Sequence, residues 1–179
     1  GRVRSSINLF NYDYESFQAA VIDLGSGAAN VTNVTDAKVR GMEVELQAKL
    51  GAWQFDGGLS YVDSELGSLT FVNSRQLPGP QLGPQCATGQ TTGCFNYLPF
   101  LVTNSGGANL YSPELTYNLG IEYQAHLTNG ALLTPRLNYG YVDEQFINLL
   151  YNPVTDLLAA RGLLSAQLTY KRERWDMQL

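Results

Sequence analysis

The sequence predicts an all-β chain, an antiparallel up-and-down meander of a transmembrane β-barrel, which a resemblance given below makes a segment of a large one. Three observations predict it. Apolar and polar residues alternate with period two over several stretches. Short connections alternate with long ones. Aromatic residues gather at both ends of the apolar face.

Composition narrows the classes first. Charged residues are 15% of 179, against about 25% in an ordinary soluble domain. The formal net charge is −5, which disfavours a nucleic-acid binder that works through a basic patch. No run approaches the ~18 apolar residues of a transmembrane helix. The aromatic and β-branched content argues against disorder.

The elements follow in order. Val3 to Ala20 reads as a strand. Ile7 and Leu9 lie on one parity and Phe10, Tyr12 and Tyr14 on the other, so a bulge or a change of lipid-facing side is expected. Gly41 to Leu50 is the clearest strand. Met42, Val44, Leu46, Ala48 and Leu50 make an apolar face, and Glu43, Glu45, Gln47 and Lys49 a polar one. After the short break at Gly51-Ala52, Trp53, Phe55, Leu59 and Tyr61 repeat the alternation, which marks a tight hairpin. Leu115 to Ala125 places Tyr117, Leu119, Ile121 and Tyr123 on one face. Asn129-Gly130 is a turn signal. The strand from Ala131 to Tyr141 contains Pro135, which lacks a ladder donor, so local irregularity is expected there. Leu164 to Tyr170 follows, then the charged turn Lys171 to Arg174, and Trp175 opens another strand.

Breaks near 51, 127–130 and 171–174 are short. Those near 19–36, 64–111 and 147–157 are long. Short turns at one end and long loops at the other are the pattern of an outer-membrane barrel. The expected interface aromatics are Trp53, Tyr123, Tyr170 and Trp175 near the short turns, with Tyr61, Tyr117, Tyr139 and Tyr141 toward the long loops. A one-residue slip of Gly41–Leu50 would turn its charges into lipid, at about 2–4 kcal/mol for a midplane Lys. Glu43, Glu45, Glu122 and Arg136 then face the lumen, either toward a plug or solute path or as the ordinary polar lining of a solvated interior.

Cys86 and Cys94 suit a small disulfide loop in an oxidising compartment, with two free thiols as the alternative. Two Cys and the lone His126 are too few for zinc, so no metal or cofactor is expected. Gly25-Ser26-Gly27 reads as a flexible loop, since Asn30 stands where a dinucleotide fingerprint needs a third glycine. The sequons Asn30-Val31-Thr32 and Asn33-Val34-Thr35 read as idle loop residues. A single histidine gives no catalytic triad, so no catalytic residue and no enzyme activity is expected. The loop from Ser64 to Leu110 is too long for a mere connector. Its Phe95, Tyr97 and Phe100 are candidates to stack on a ligand, or else to pack the loop on itself.

The run Asp36-Ala37-Lys38-Val39-Arg40-Gly41-Met42-Glu43-Val44-Glu45 resembles the TonB-dependent outer-membrane receptor family, whose barrel has a strand with a small residue before Gly-x-Glu-x-Glu. Phe10-Asn11-Tyr12-Asp13-Tyr14-Glu15-Ser16-Phe17-Gln18 is similar to the aromatic-rich strand before it. Ser112-Pro113-Glu114-Leu115, Arg136-Leu137-Asn138-Tyr139 and Leu164 to Tyr170 with Trp175 fit later strands in order. The resemblance implies a barrel of about 22 strands around a plug. The chain has room for about seven. Residues 1–179 are therefore expected to be a partial barrel from the C-terminal part, with plug, TonB box and closing strands absent.

The resemblance also implies a place in the bacterial outer membrane and no bond chemistry. Expected partners are outer-membrane lipid, the receptor's own plug, the TonB complex and a small-molecule ligand, with no nucleic acid. The expected function is uptake of a large scarce solute (ferric siderophore, cobalamin or oligosaccharide) with TonB-derived energy. Two other readings are a complete small outer-membrane barrel, structural or adhesive, and a soluble secreted carbohydrate-binding β-sandwich.

Overall fold

A computed structural model of the chain describes residues 2–79 and 82–179. Pro80 and Gln81, inside the long loop expected from Ser64 to Leu110, lie outside the described residues. In chain order the strands are β1 (Arg2–Ile22), β2 (Ala29–Leu50), β3 (Trp53–Leu66), β4 (Leu69–Val72), β5 (Leu101–Asn104) and β6 (Leu115–Tyr123). They continue with β7 (Ala125–His126), β8 (Leu132–Val142), β9 (Gln145–Phe146), β10 (Leu157–Leu158), β11 (Arg161–Arg172) and β12 (Trp175–Gln178).

One sheet dominates, in the order β1-β2-β3-β6-β8-β11-β12, with β7 extending β6 against β8. Every neighbouring pair is antiparallel. This is the up-and-down meander expected from the alternation of short and long breaks. Among the described residues β1 and β12 do not pair with each other, so the sheet is open and forms no small closed barrel. Nor does a second sheet cover its apolar face, as a sandwich requires. Met42, Leu46, Leu119, Leu137 and Leu164 stay exposed.

Register carries the two-faced pattern across the sheet. Met42 pairs with Tyr61 and Leu9, and Val44 with Leu59 and Ile7. Ile121 pairs with Phe55 and Leu137, and Leu137 with Ala166. From Met42 to Leu50 the band covers about 26 Å of strand, the reach of a tilted transmembrane β-strand of about 9–11 residues. Beyond Met42 and Tyr61 the same face turns polar. The next row pairs Asn11, Arg40 and Asp63, and Arg40 Nε and Nη2 both donate to Asp63 Oδ2, at 2.8 and 2.7 Å. The apolar band on β1–β3 therefore ends at the row of Met42 and Tyr61.

Aromatic rings bound the band. Trp53 and Tyr123 lie directly opposite, with centroids 4.6 Å apart, at the short-turn end. Tyr117 stands 5.0 Å from Tyr141 and 6.0 Å from Tyr139 at the other. Such rings keep a polar tip in the wet headgroup layer and an apolar body in the hydrocarbon.

Three expectations are corrected. The break near 19–36 is no long loop: β1 and β2, of 21 and 22 residues, run on as one tall hairpin. Thr32 and Val31 are strand formers, and a short turn closes the hairpin. Asp23 accepts hydrogen bonds from Gly25 N, Ser26 N and Ser26 Oγ at 3.2, 3.1 and 2.7 Å. Gly25-Ser26-Gly27 is thus a tight turn and not a flexible loop, with Gly27 at φ 71°. The first sequon asparagine and Asn33 accordingly sit on β2, where Gln18 Nε2 donates to Asn33 Oδ1. The irregularities foreseen in β1 and at Pro135 do occur. The β1–β2 register shifts between Tyr14 and Phe17, with Ser16 at φ 58°. The ladder between β8 and β6–β7 lapses between Glu122↔Arg136 and Ala125↔Leu133, opposite the prolyl nitrogen that cannot donate.

The buried apolar cluster lies at the long-loop end, where the tops of β2 and β3 meet the loops. Ala37, Leu66, Leu69, Phe71 and Leu149 form it, with Phe17, Val102 and Leu110 packed around them. β4 and β5 pair as a hairpin within the long loop, and β9–β10 brace the next one. The loops therefore fold as a water-facing cap with its own small core, since water, unlike lipid, drives apolar burial there.

Candidate functional site

The inner face is the one opposite the lipid-facing band. Glu43, Glu45, Glu122 and Arg136 all lie on it. Glu43 pairs with Ser60 and Asn8, and Glu122 with Gln54 and Arg136. Arg136 is the hub near the short turns. Its Nη2 donates to Asp56 Oδ1 and Oδ2 at 2.7 and 2.8 Å, and its Nε to Asn138 Oδ1 at 2.8 Å. Nη1 stands 3.7 Å from Glu122, which also accepts from Gln54 Nε2 at 2.9 Å. The guanidinium crosses from β8 over β6 to β3, and this needs bare backbone at Gly120. A Cβ there would stand 2.5 Å from both Arg136 Nη2 and Asp56 Oδ2. Gly120→Val is therefore expected to break the Arg136–Asp56 pair. The barrel should lose about 1 kcal/mol, the scale of a half-exposed ion pair, read as a lower urea midpoint.

Higher on this face stands a feature the period-two reading left unassigned. Phe10, Tyr12 and Tyr14 pair with Gly41, Val39 and Ala37, so they share the side of Glu43, not the lipid side. Their centroids are 5.5 and 6.0 Å apart in sequence. The Phe10 ring lies over Gly41, where a Cβ would meet its Cζ at 2.8 Å. A Cβ at Gly41 would stand still closer, 2.1 Å, to the Tyr61 carbonyl oxygen, so the glycine of the Gly-x-Glu-x-Glu run is required first by the β3 backbone and then by the ring. At the foot of the ladder Asn8 Nδ2 donates to Glu43 Oε2 at 3.3 Å.

The loop cap holds the other candidates. Cys86 and Cys94 are joined by a disulfide. Phe95 stacks on Phe100 at 5.6 Å and meets Tyr97 edge-on at 5.0 Å. The three rings are together, but Tyr97 is 0% exposed, and its ring is not open to a ligand. Its hydroxyl donates to Gly83 O at 3.0 Å and its N–H to Gln85 Oε1 at 2.8 Å. Gln85 N in turn donates to Leu24 O at 2.8 Å. The disulfide loop is thus docked on the tip of the β1–β2 hairpin, against Gly27, where a Cβ would collide with Gly83 O. For Tyr97 the packing alternative holds. Phe95 and Phe100 remain partly exposed.

A second tie joins the two long loops. Arg75 donates through Nη1 and Nη2 to both oxygens of Asp156, a carboxylate 0% exposed. Asn152 N and Thr155 Oγ1 also donate to it. No periodicity announces this pair, because it links residues 81 positions apart in irregular segments. The Arg75 hydrogen bond, above all, holds the Asp156 carboxyl below its ordinary value. A carboxyl depressed in the folded state contributes stability above its unfolded pKa of about 3.9, which is lost as pH falls through its lower folded value. Protease cutting at 147–157 is accordingly expected to rise below about pH 4, and Asp156→Asn should show the faster cutting already at neutral pH.

A family model described as TonB dependent receptor-like, beta-barrel matches residues 1–179. The chain belongs to the TonB-dependent receptor β-barrel family. No solved structure matches it. The receptor is an all-β protein of the bacterial outer membrane. Its family consists of transporters. Trp53, Tyr61, Tyr117, Tyr123, Tyr139, Tyr141, Tyr170 and Trp175 all lie on the lipid-side parity of the receptor's sheet.

Proposed function

We propose that the receptor imports a large scarce solute across the outer membrane, a ferric siderophore, cobalamin or an oligosaccharide, with energy delivered by TonB. The supporting observation is a sheet greasy on one face and polar on the other that continues above the bilayer into a folded cap. Such a cap offers a solute a shaped surface outside, and the polar face offers it a wet path inside. In this reading residues 1–179 are part of a larger barrel. Glu43, Glu45, Glu122 and Arg136 line the lumen toward the plug, and Phe95 and Phe100 contact ligand at the cap. The chain itself breaks no bonds; the TonB complex acts through the plug.

Growth of a strain lacking the receptor gives the test, on limiting iron chelates, cobalamin or glycans as the sole source. The expected result is a defect on one source, reproduced by removing the inner-membrane energiser. Unchanged growth on all of them would overturn import.

A further inference from the structure

We propose that the β11–β12 hairpin carries, on its lipid side, a headgroup site for an anionic glycerophospholipid of the periplasmic leaflet. The turn Lys171-Arg172-Glu173-Arg174 puts three cations and one acid into four residues. It lies at the short-turn end of the sheet, which is the periplasmic end of an outer-membrane barrel. Register sorts these charges by face. Lys171 pairs with Asp176 on the inner parity, with 4.0 Å between Nζ and Oδ2. Arg172 pairs with Trp175, and Tyr170 with Met177, on the parity of the lipid-facing band. Arg172 is thus the next outward position after Tyr170, where the band meets water. At this height β11 is an interior strand, paired with β8 as far as Lys171 and with β12 as far as Arg172. Among the described residues neither Arg172 nor Arg174 forms an ion pair.

No other short turn has this chemistry. Gly51-Ala52 and Leu127 to Gly130 hold no charged residue. The remaining cations in this half of the sheet, Arg2, Arg4, Lys49 and Arg136, all lie on the inner parity. Glycine takes the positive-φ position of the other two turns, Gly51 at 62° and Gly130 at 77°, whereas Glu173 takes it here at 46°. A residue with a Cβ is disfavoured in that conformation, so this turn is not composed for tightness alone. Lipid-side cations gathered at one point of the circumference hold an anion at that point. A guanidinium presents a planar fork that takes two phosphate oxygens at once. Trp175 and Tyr170 place rings with a polar tip beside it, at the depth of a lipid's glycerol. The acyl tails then continue along Leu168 and Met177, on the same parity. Electrostatics selects the headgroup. A phosphatidylglycerol brings one negative charge and no positive one. A phosphatidylethanolamine adds an ammonium, which Arg172 and Arg174 repel and only Glu173 answers.

The test uses the receptor purified from outer membranes in detergent and titrated with dioleoyl phosphatidylglycerol or dioleoyl phosphatidylethanolamine. Native mass spectrometry counts the bound lipid. Phosphatidylglycerol is expected to bind more tightly than phosphatidylethanolamine. Its binding should weaken about fivefold in Arg172→Gln or Arg174→Gln, the worth of one basic residue at an anionic lipid surface, and further in the double variant. Lys49→Gln removes an inward cation at the same end and should leave it unchanged. Heat-modifiable migration checks that each variant has assembled. Arg174 lies outside every ladder pair, so Arg174→Gln carries the test if the double variant does not assemble. Equal retention of the two lipids overturns the headgroup class. Phosphatidylglycerol binding that ignores both arginines, or that falls as far with Lys49→Gln, overturns the site. The readout does not depend on which solute the receptor imports.

Discussion

Replacing Leu46 by arginine is expected to cost the barrel about 2–4 kcal/mol, the penalty for a cation at the midplane of the lipid face. Leu46 sits midway between the Met42–Tyr61 and Leu50–Trp53 pairs, on the band whose ends carry the aromatic rings. It is 47% exposed, with lipid as the only apolar medium on its side. Arginine there must leave water with no acid facing it. The comparison is Ser60→Arg, three positions further along the same hairpin, on the inner face and opposite Glu43. That change meets water and a carboxylate, so its effect should stay within about 0.5 kcal/mol. Urea unfolding of both variants in lipid vesicles reads the difference. Equal effects would mean that the two faces do not see two solvents, and the whole assignment of lipid and lumen would fall.

Tyr97→Ala is expected to release the disulfide loop from the hairpin tip at about 3–5 kcal/mol, the range for truncating a fully buried large aromatic. The ring fills the junction of the loop with Gly27 and meets Phe95, and its hydroxyl and N–H hold Gly83 and Gln85. Tyr97→Phe keeps the ring and loses one hydrogen bond, about 1 kcal/mol. Since the loop is outside the bilayer, the barrel's own unfolding should not move. Protease cutting between 83 and 97, followed by mass after reduction of the Cys86–Cys94 bond, should be fast for the alanine variant and near the parent for phenylalanine. Protection of the alanine variant would show that other contacts hold the loop.

Much of the sheet was legible in the residues. Met42 to Leu50 and Leu115 to Tyr123 alternate so regularly that strand, face and register follow from the period of two and from the cost of charge in lipid. Pro135 announced its own gap in the ladder. The stretch from Ala19 to Asp36 misled, because Gly25-Ser26-Gly27 and the sequons at Asn30 and Asn33 read as loop. In place, a single Asp23-centred turn suffices, and the hairpin extends in water where no belt or band marks its length.

The candidate sites were legible by residue type but not by arrangement. That Phe95, Tyr97 and Phe100 lie together could be read from their spacing. That Tyr97 is buried and locks the loop could not, since its partners Gly27 and Gly83 come from distant segments. The Phe10–Tyr14 ladder showed in the sequence only as a parity conflict with Ile7 and Leu9. Continuous pairing through Gly41 resolved it in favour of the inner face.

By itself the sequence determined which residues of β2, β3, β6, β8 and β11 share the sheet's apolar face, because a strand's alternation acts locally, residue by residue. The tertiary structure alone decided how the loops close into a cap, which aromatic rings stay open, and that Arg75 meets Asp156. Those outcomes depend on contacts between segments far apart in the chain, made in water, where no periodic rule fixes which surfaces come together.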